Sequence, residues 1–253
     1  MSDSLARPEP LPTTPTTGQT AAQRRMVAIF EIVLCSSVPT QLALGFLLSL
    51  GGWSPTTANG ALSLPYVMTL SLADTLLLIV LMVALLHAHG EDATSLWIGQ
   101  RSVRREVLVG VALVPGIFLF VVILLNGLRL LFPGLHNVPT NPLEALAGNS
   151  AEEAAMFGLL AIVAGGIREE LQRAFLLHRF EQHLGGAKVG VVVLSTAFGL
   201  GHYVQGWDAV ITTAALGAVW AVLYLDRRSS VAPVVSHAGF NSLEILRVVL
   251  APR

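Results

Sequence analysis

Apolar residues fill this chain in long runs broken by short polar connections, and not in the alternation of half-buried strands or the narrow stripes of surface helices. A helix that crosses a bilayer needs about 20 mostly apolar residues. By that measure the pattern predicts seven segments, at about 26–52, 63–88, 105–132, 148–182, 187–204, 208–225 and 231–250. The first three read as clean, and stretches such as 76–86 and 107–125 hold no charge. The first is long and is expected to be tilted or broken near Pro39. The fourth is interrupted by Glu152, Glu153 and the charged cluster at 168–173. It is either one long helix with inward-facing charges or two shorter pieces.

Composition agrees with a membrane protein. The chain is 53% apolar and 12% charged, with a mean hydropathy of +0.68, whereas a soluble domain carries about 25% charged residues. The predicted fold is all-α: a polytopic membrane protein of about seven transmembrane helices enclosing a polar cavity that faces the cytoplasm. Its partner is the lipid bilayer, and no basic patch suggests nucleic acid. The single Cys35 cannot form an internal disulfide and reads as a small core residue. Residues 1–25 are rich in Pro, Thr and Ala, without an apolar run or the features of a signal peptide. They are expected to be a disordered tail preceding one transmembrane domain at 26–253.

Lys and Arg alternate between connections. Arg24 and Arg25, then Arg101, Arg104 and Arg105, then Arg179 and Lys188, then Arg227 and Arg228 mark one side. The loops at 53–62, 133–147 and 205–207 have none. The positive-inside rule then puts the N-terminus in the cytoplasm of a multi-pass, bacterial-type plasma-membrane protein. Arg247 and Arg253 run against an outside C-terminus and point to a partial last span.

The last hundred residues place ionisable groups inside apolar runs. Insertion of such a group costs about 2.5–3.5 kcal/mol at mid-helix, which makes chemistry or transport the expected reason for it. Glu169 and Arg173 are one helical turn apart and are expected to share a face, with Glu170 about 100° away. A carboxylate in an apolar cavity can serve as a general base, although a Glu-Glu pair can also simply end a membrane helix. His202, in Phe198-x-x-x-His202, and His237, in His237-x-x-x-Asn241, are each ordinary core residues if taken alone. Together these groups are what is needed to activate a water and to face an oxyanion.

Glu169-Glu170 with Arg173, then Phe198-x-x-x-His202, then His237-x-x-x-Asn241, resemble the three polar motifs of the CAAX protease and bacteriocin-processing (Abi) family of intramembrane proteases, which includes the type II CAAX prenyl endopeptidases. The resemblance covers about 150–250. It departs from the family in one place: three residues usually separate Glu-Glu from Arg, whereas here Leu171 and Gln172 alone precede Arg173 and Ala174 occupies the usual Arg position. Arg168 is a substitute partner for the pair. The resemblance implies an endopeptidase acting on a membrane-associated or lipidated peptide or protein. Glu169 would activate water with His202, Glu170 and Arg173 would orient the site, and His237 and Asn241 would bind the substrate carbonyl or the oxyanion. If a divalent metal such as Zn2+ takes part, Glu169, His202 and His237 would be its ligands. A water held by Glu and His alone fits the same residues, since no thiolate ligand is present. Two other classes stay open: a transporter or proton relay, for which no inverted repeat is seen, and a catalytically inactive membrane adaptor or immunity protein.

Overall fold

A computed structural model describes residues 18, 20–139, 141–148 and 150–250, and among them the regular structure is helical apart from one isolated bridge between Thr56 and Leu62. Helix α1 (Ala21–Leu34) begins with a capping box in which Thr20 and Gln23 bond each other's backbone. It therefore starts inside the range read as tail. Residues 1–17 and 19 of that range lie outside the described residues. The chain breaks at Cys35–Ser37 and resumes as α2 (Val38–Leu50), with Pro39 in its first turn. The two pieces meet at 41°, which is the break expected near Pro39. Then come α3 (Leu64–Ala88), the short α4 (Ala93–Trp97), α5 (Val103–Leu131) and the short α6 (Glu144–Gly148).

The fourth apolar segment is one continuous helix. Helix α7 (Ala151–Leu160), capped by Ser150, passes through a π-helical stretch (Ala161–Arg168) directly into α8 (Glu169–His183), and both junction residues keep helical torsions. Helices α9 (Ala187–Leu200), α10 (Trp207–Arg227) and α11 (Val231–Leu250) complete the bundle. Among the described residues, α3, α5 and α10 are each long and apolar enough to cross a bilayer, and the bent pair α1–α2 makes a fourth. The other expected spans differ for identifiable reasons. Helix α9 is apolar but only 14 residues long, and α11 carries His237, Asn241, Glu244 and Arg247.

Two apolar cores flank the site. One joins Cys35, Leu78, Met82, Phe175, Leu177 and Ala221, and the other joins Ile117, Val121, Leu216, Trp220 and Phe240. Cys35 is buried there as a free thiol, as expected. The outward faces of α1, α2, α3 and α5 expose Phe30, Leu42, Phe46, Leu76, Leu108 and Ile123. A water-facing surface rarely carries so much contiguous apolar area, whereas a bilayer covers it.

The reading of the first three segments as clean needs correction. Glu31 in α1, Asp74 in α3 and Glu106 in α5 are fully or nearly fully buried. Each has partners, because a buried carboxylate without them is far too costly. Glu31 accepts from Arg179 at 2.5 Å and meets His89 at 2.6 Å. His89 is thus tied to α1. Arg227 grips Glu106 through two nitrogens, at 2.6 and 2.9 Å. In the α3–α4 connection, Glu91 takes bonds from His178, Arg179 and Gln182. Burial pushes its carboxyl up, but those bonds outweigh burial and bring the pKa down to about 2.

Candidate active site

The site forms where α11 lies against the π stretch. A Cβ on Gly166 would come within 2.8 Å of the Ala238 Cβ, and one on Gly165 within 2.6 Å of Asn241 Nδ2. Two glycines in succession therefore set the distance between these helices. Asn241 Nδ2 donates to the Ala161 carbonyl at 3.1 Å, at the start of the widened turns. A π stretch loosens the regular helical bonding and re-aims the side chains that follow it, here the two glutamates.

Glu170 is almost fully buried. Its Oε1 accepts from Arg173 and, at 2.7 Å, from His237 Nδ1. Arg173 therefore pairs with Glu170 at i,i+3, and the expected pairing with Glu169 at i,i+4 is not made. The Arg173 guanidinium also sits over the Phe198 ring, 4.8 Å from its centroid, so the motif with one residue fewer still delivers its Arg to an apolar cage. Glu169 takes Arg168 in its place: Nη2 donates to Oε1 at 3.2 Å. Arg168 thus acts as the substitute partner.

His237 lies flat on Trp220, with centroids 3.7 Å apart and planes inclined by 14°. A carboxylate can only accept, so the bond to Glu170 places a proton on Nδ1 and turns Nε2 toward Glu169, 4.0 Å from its Oε2. His202 lies just beyond the end of α9. Its Nδ1 donates to the Phe198 carbonyl at 2.8 Å, and its ring packs edge-on against Phe198. The structure thus brings Glu169 to His237, where the resemblance paired it with His202. All four of Glu169, His202, His237 and Asn241 line one cavity of about 780 Å³.

That cavity runs past Asn126, Arg129 and His136 to Glu144 and Arg247, at the face bearing the α5–α6 connection. At the opposite end of the bundle, α4 is tied to its neighbours. Ser230 N donates to Trp97 O at 2.7 Å, Tyr224 to Leu96 O at 3.2 Å, and Trp97 Nε1 to Leu171 O at 3.1 Å. The arginine-rich connections lie at this end, where Arg101 bonds the Arg227 carbonyl. The residues that line the cavity thus gather toward the end of the bundle opposite those connections.

Among the described residues, no group of three or more His, Cys, Asp or Glu side chains is arranged to hold a metal ion. Glu169, His202 and His237 do not form such a group, although all three line the cavity.

Several site residues escaped the motif reading. Trp220, Gly165 and Gly166 look like any aromatic or small residue of a membrane helix. Asp74, which bonds Arg168, did leave a signal: it is a carboxylate inside an apolar run, which by default marks function.

Residues 151–243 match the family model described as Type II CAAX prenyl endopeptidase Rce1-like. No curated protein and no solved structure matches the chain. The matched stretch runs from α7 into α11 and holds Glu169, Glu170, Arg173, His202, His237 and Asn241, so the site-bearing region as a whole is similar to the type II CAAX prenyl endopeptidase (Rce1-like) family.

Proposed function

We propose that the protein is an intramembrane endopeptidase that hydrolyses a peptide bond of a membrane-associated peptide or protein, using a water held between Glu169 and His237. The observation that carries this is the 4.0 Å gap between Glu169 Oε2 and His237 Nε2 in the cavity wall. It is too long for a direct hydrogen bond and short enough for one water to bridge. A prenylated C-terminal peptide is the substrate class the family suggests. The N-terminus would lie in the cytoplasm and the remaining helices would complete about seven spans.

Glu169 Oε2 would take a proton from the bridged water as its oxygen attacks the scissile carbonyl carbon. The carbonyl π electrons move onto oxygen, and the charge formed there needs donors. His202 in its imidazolium form could donate from Nε2, and Asn241 has a second amide hydrogen beyond the one used on Ala161. Collapse of the tetrahedral intermediate breaks the C–N bond, and the Glu169 carboxyl returns its proton to the leaving amine. Glu170, with Arg173 as counter-ion, would hold the His237 tautomer throughout.

The test uses the purified full-length protein in lipid nanodiscs. Quenched fluorogenic peptides ending in a farnesylcysteine tripeptide, and the same peptides without the lipid, are incubated with it and the products identified by mass. Cleavage lost in Glu169→Gln supports the reading. Inert wild type toward both peptides, with proton or solute flux in vesicles, would replace it with a transport function.

A further inference from the structure

Glu169 is held from behind by a polar network that the hydrolytic chemistry does not use directly. Arg168 donates through Nη1 to Ser37 Oγ at 2.5 Å and to Asp74 Oδ2 at 3.3 Å, through Nε to Ala164 O at 3.2 Å, and through Nη2 to Glu169 Oε1. Asp74 is fully buried inside α3 and accepts two further bonds, from Thr40 at 2.5 Å and from Gln41 at 3.2 Å. Every polar partner of Asp74 named here is a donor, which suits a carboxylate and not an amide. One turn beyond Arg168, Gln172 donates to Cys35 O at 2.5 Å and to Ser37 Oγ at 3.3 Å. Ser37 sits in the left-handed region, at φ 70°, which a non-glycine residue occupies only when its surroundings hold it there. The break between α1 and α2 thus supplies the acceptors that the Arg168–Gln172 turn needs.

A buried ion pair is no efficient way to stabilise a fold, since well-packed apolar residues in its place are often neutral or better. What this one does provide is direction. With Nη1 anchored on Asp74 and Ser37, Nη2 can reach Oε1 of Glu169 and leaves Oε2 free on the side of His237. We propose that Asp74, acting through Arg168 and assisted by Ser37, is a positioning residue that assigns the two oxygens of Glu169 to separate tasks. The inference rests on the proposed hydrolysis.

The test is a cycle of Asp74→Asn, Arg168→Gln and the double variant in full-length protein, with the farnesylated fluorogenic peptide as probe. Misplacing a reacting group costs on the order of 10² in rate. Asp74→Asn should therefore lower kcat by about that factor with little change in KM, and the double variant should be no worse than the worse single. Multiplicative losses, a change confined to KM, or a lower melting temperature at unchanged kcat would overturn it. Should Asp74→Asn fail to fold, Ser37→Ala removes one anchor of Arg168 and should lower kcat in the same direction, and an unchanged kcat there counts against the proposal. If wild type cleaves nothing, the protease reading fails and the positioning is read by infrared spectroscopy instead. The Glu169 carboxylate band, assigned with Glu169→Gln, should be displaced in Asp74→Asn, and an unmoved band overturns the inference.

Discussion

Glu170 Oε1 accepts a hydrogen bond from His237 Nδ1 at 2.7 Å, across 67 positions of chain, and that bond decides which nitrogen faces Glu169. Two glutamates adjacent in sequence thereby take different tasks. Glu170 is enclosed with Arg173 and holds the imidazole, while Glu169, about a fifth exposed, faces the cavity.

The difference predicts two distinct variants. Glu169→Gln keeps its shape and loses the base, so cleavage should fall by about 10²–10⁴ while thermal stability changes little. Glu170→Gln leaves Arg173 buried without its counter-ion and should destabilise the fold, by about 3–5 kcal/mol if the pair behaves like other buried pairs. Cleavage rates and melting temperatures of both variants in the same detergent check this. A stable, inactive Glu170→Gln beside an active Glu169→Gln would reverse the two roles.

Gly166→Ala would drive a methyl into the Ala238 backbone. It should push α11 off the π stretch, widen the gap between Glu169 and His237 and abolish most activity in a protein that still folds. Gly158→Ala meets nothing closer than 4.0 Å and is the matched control. Equal activity in the two would show that helix approach does not set the site.

The motif residues were legible in the sequence because polar groups inside apolar runs stand out, and their spacing is local. His237 and Asn241 share a face by helical period alone. The partner of Arg173 was not legible, because on a regular helix both Glu170 at i,i+3 and Glu169 at i,i+4 lie within its reach, and only the buried contact of Glu170 with His237 decides between them. Asp74 and Glu31 passed unremarked beside clean leucine-rich stretches, although a lone buried carboxylate requires a partner elsewhere in the fold. Trp220 leaves no trace at all, since stacking on an imidazole from another helix is purely a matter of tertiary packing. The pattern alone separates α9 and α11 poorly from the longer spans, because α9 is only 14 residues long and α11 carries ionisable groups along an apolar helix.

Glu91 gives a pH dependence outside the membrane part. Its folded pKa, about 2, lies below the ordinary 4.5, so its contribution to stability is complete above about 4.5 and is lost as pH falls toward 2. Melting temperatures of wild type and Glu91→Gln should differ at pH 5–7 and converge below pH 4.5. A constant difference down to pH 2.5 would contradict the linkage.

The cavity mouth lies opposite the arginine-rich connections. A cysteine at Pro133 should react with a membrane-impermeant maleimide from the outer face of intact cells, and one at Arg104 only after the cells are opened, Cys35 being buried. The reverse pattern would put the mouth in the cytoplasm and overturn the charge-bias orientation.

The shared water is tested most directly by a cycle of Glu169→Gln, His237→Ala and the double variant, followed by single-turnover cleavage of the farnesylated peptide. Two groups holding one water act as a unit, so each single variant should lose most of the rate and the double should be little worse than either. Losses that multiply, with His202→Ala instead non-additive with Glu169→Gln, would contradict a water held between Glu169 and His237.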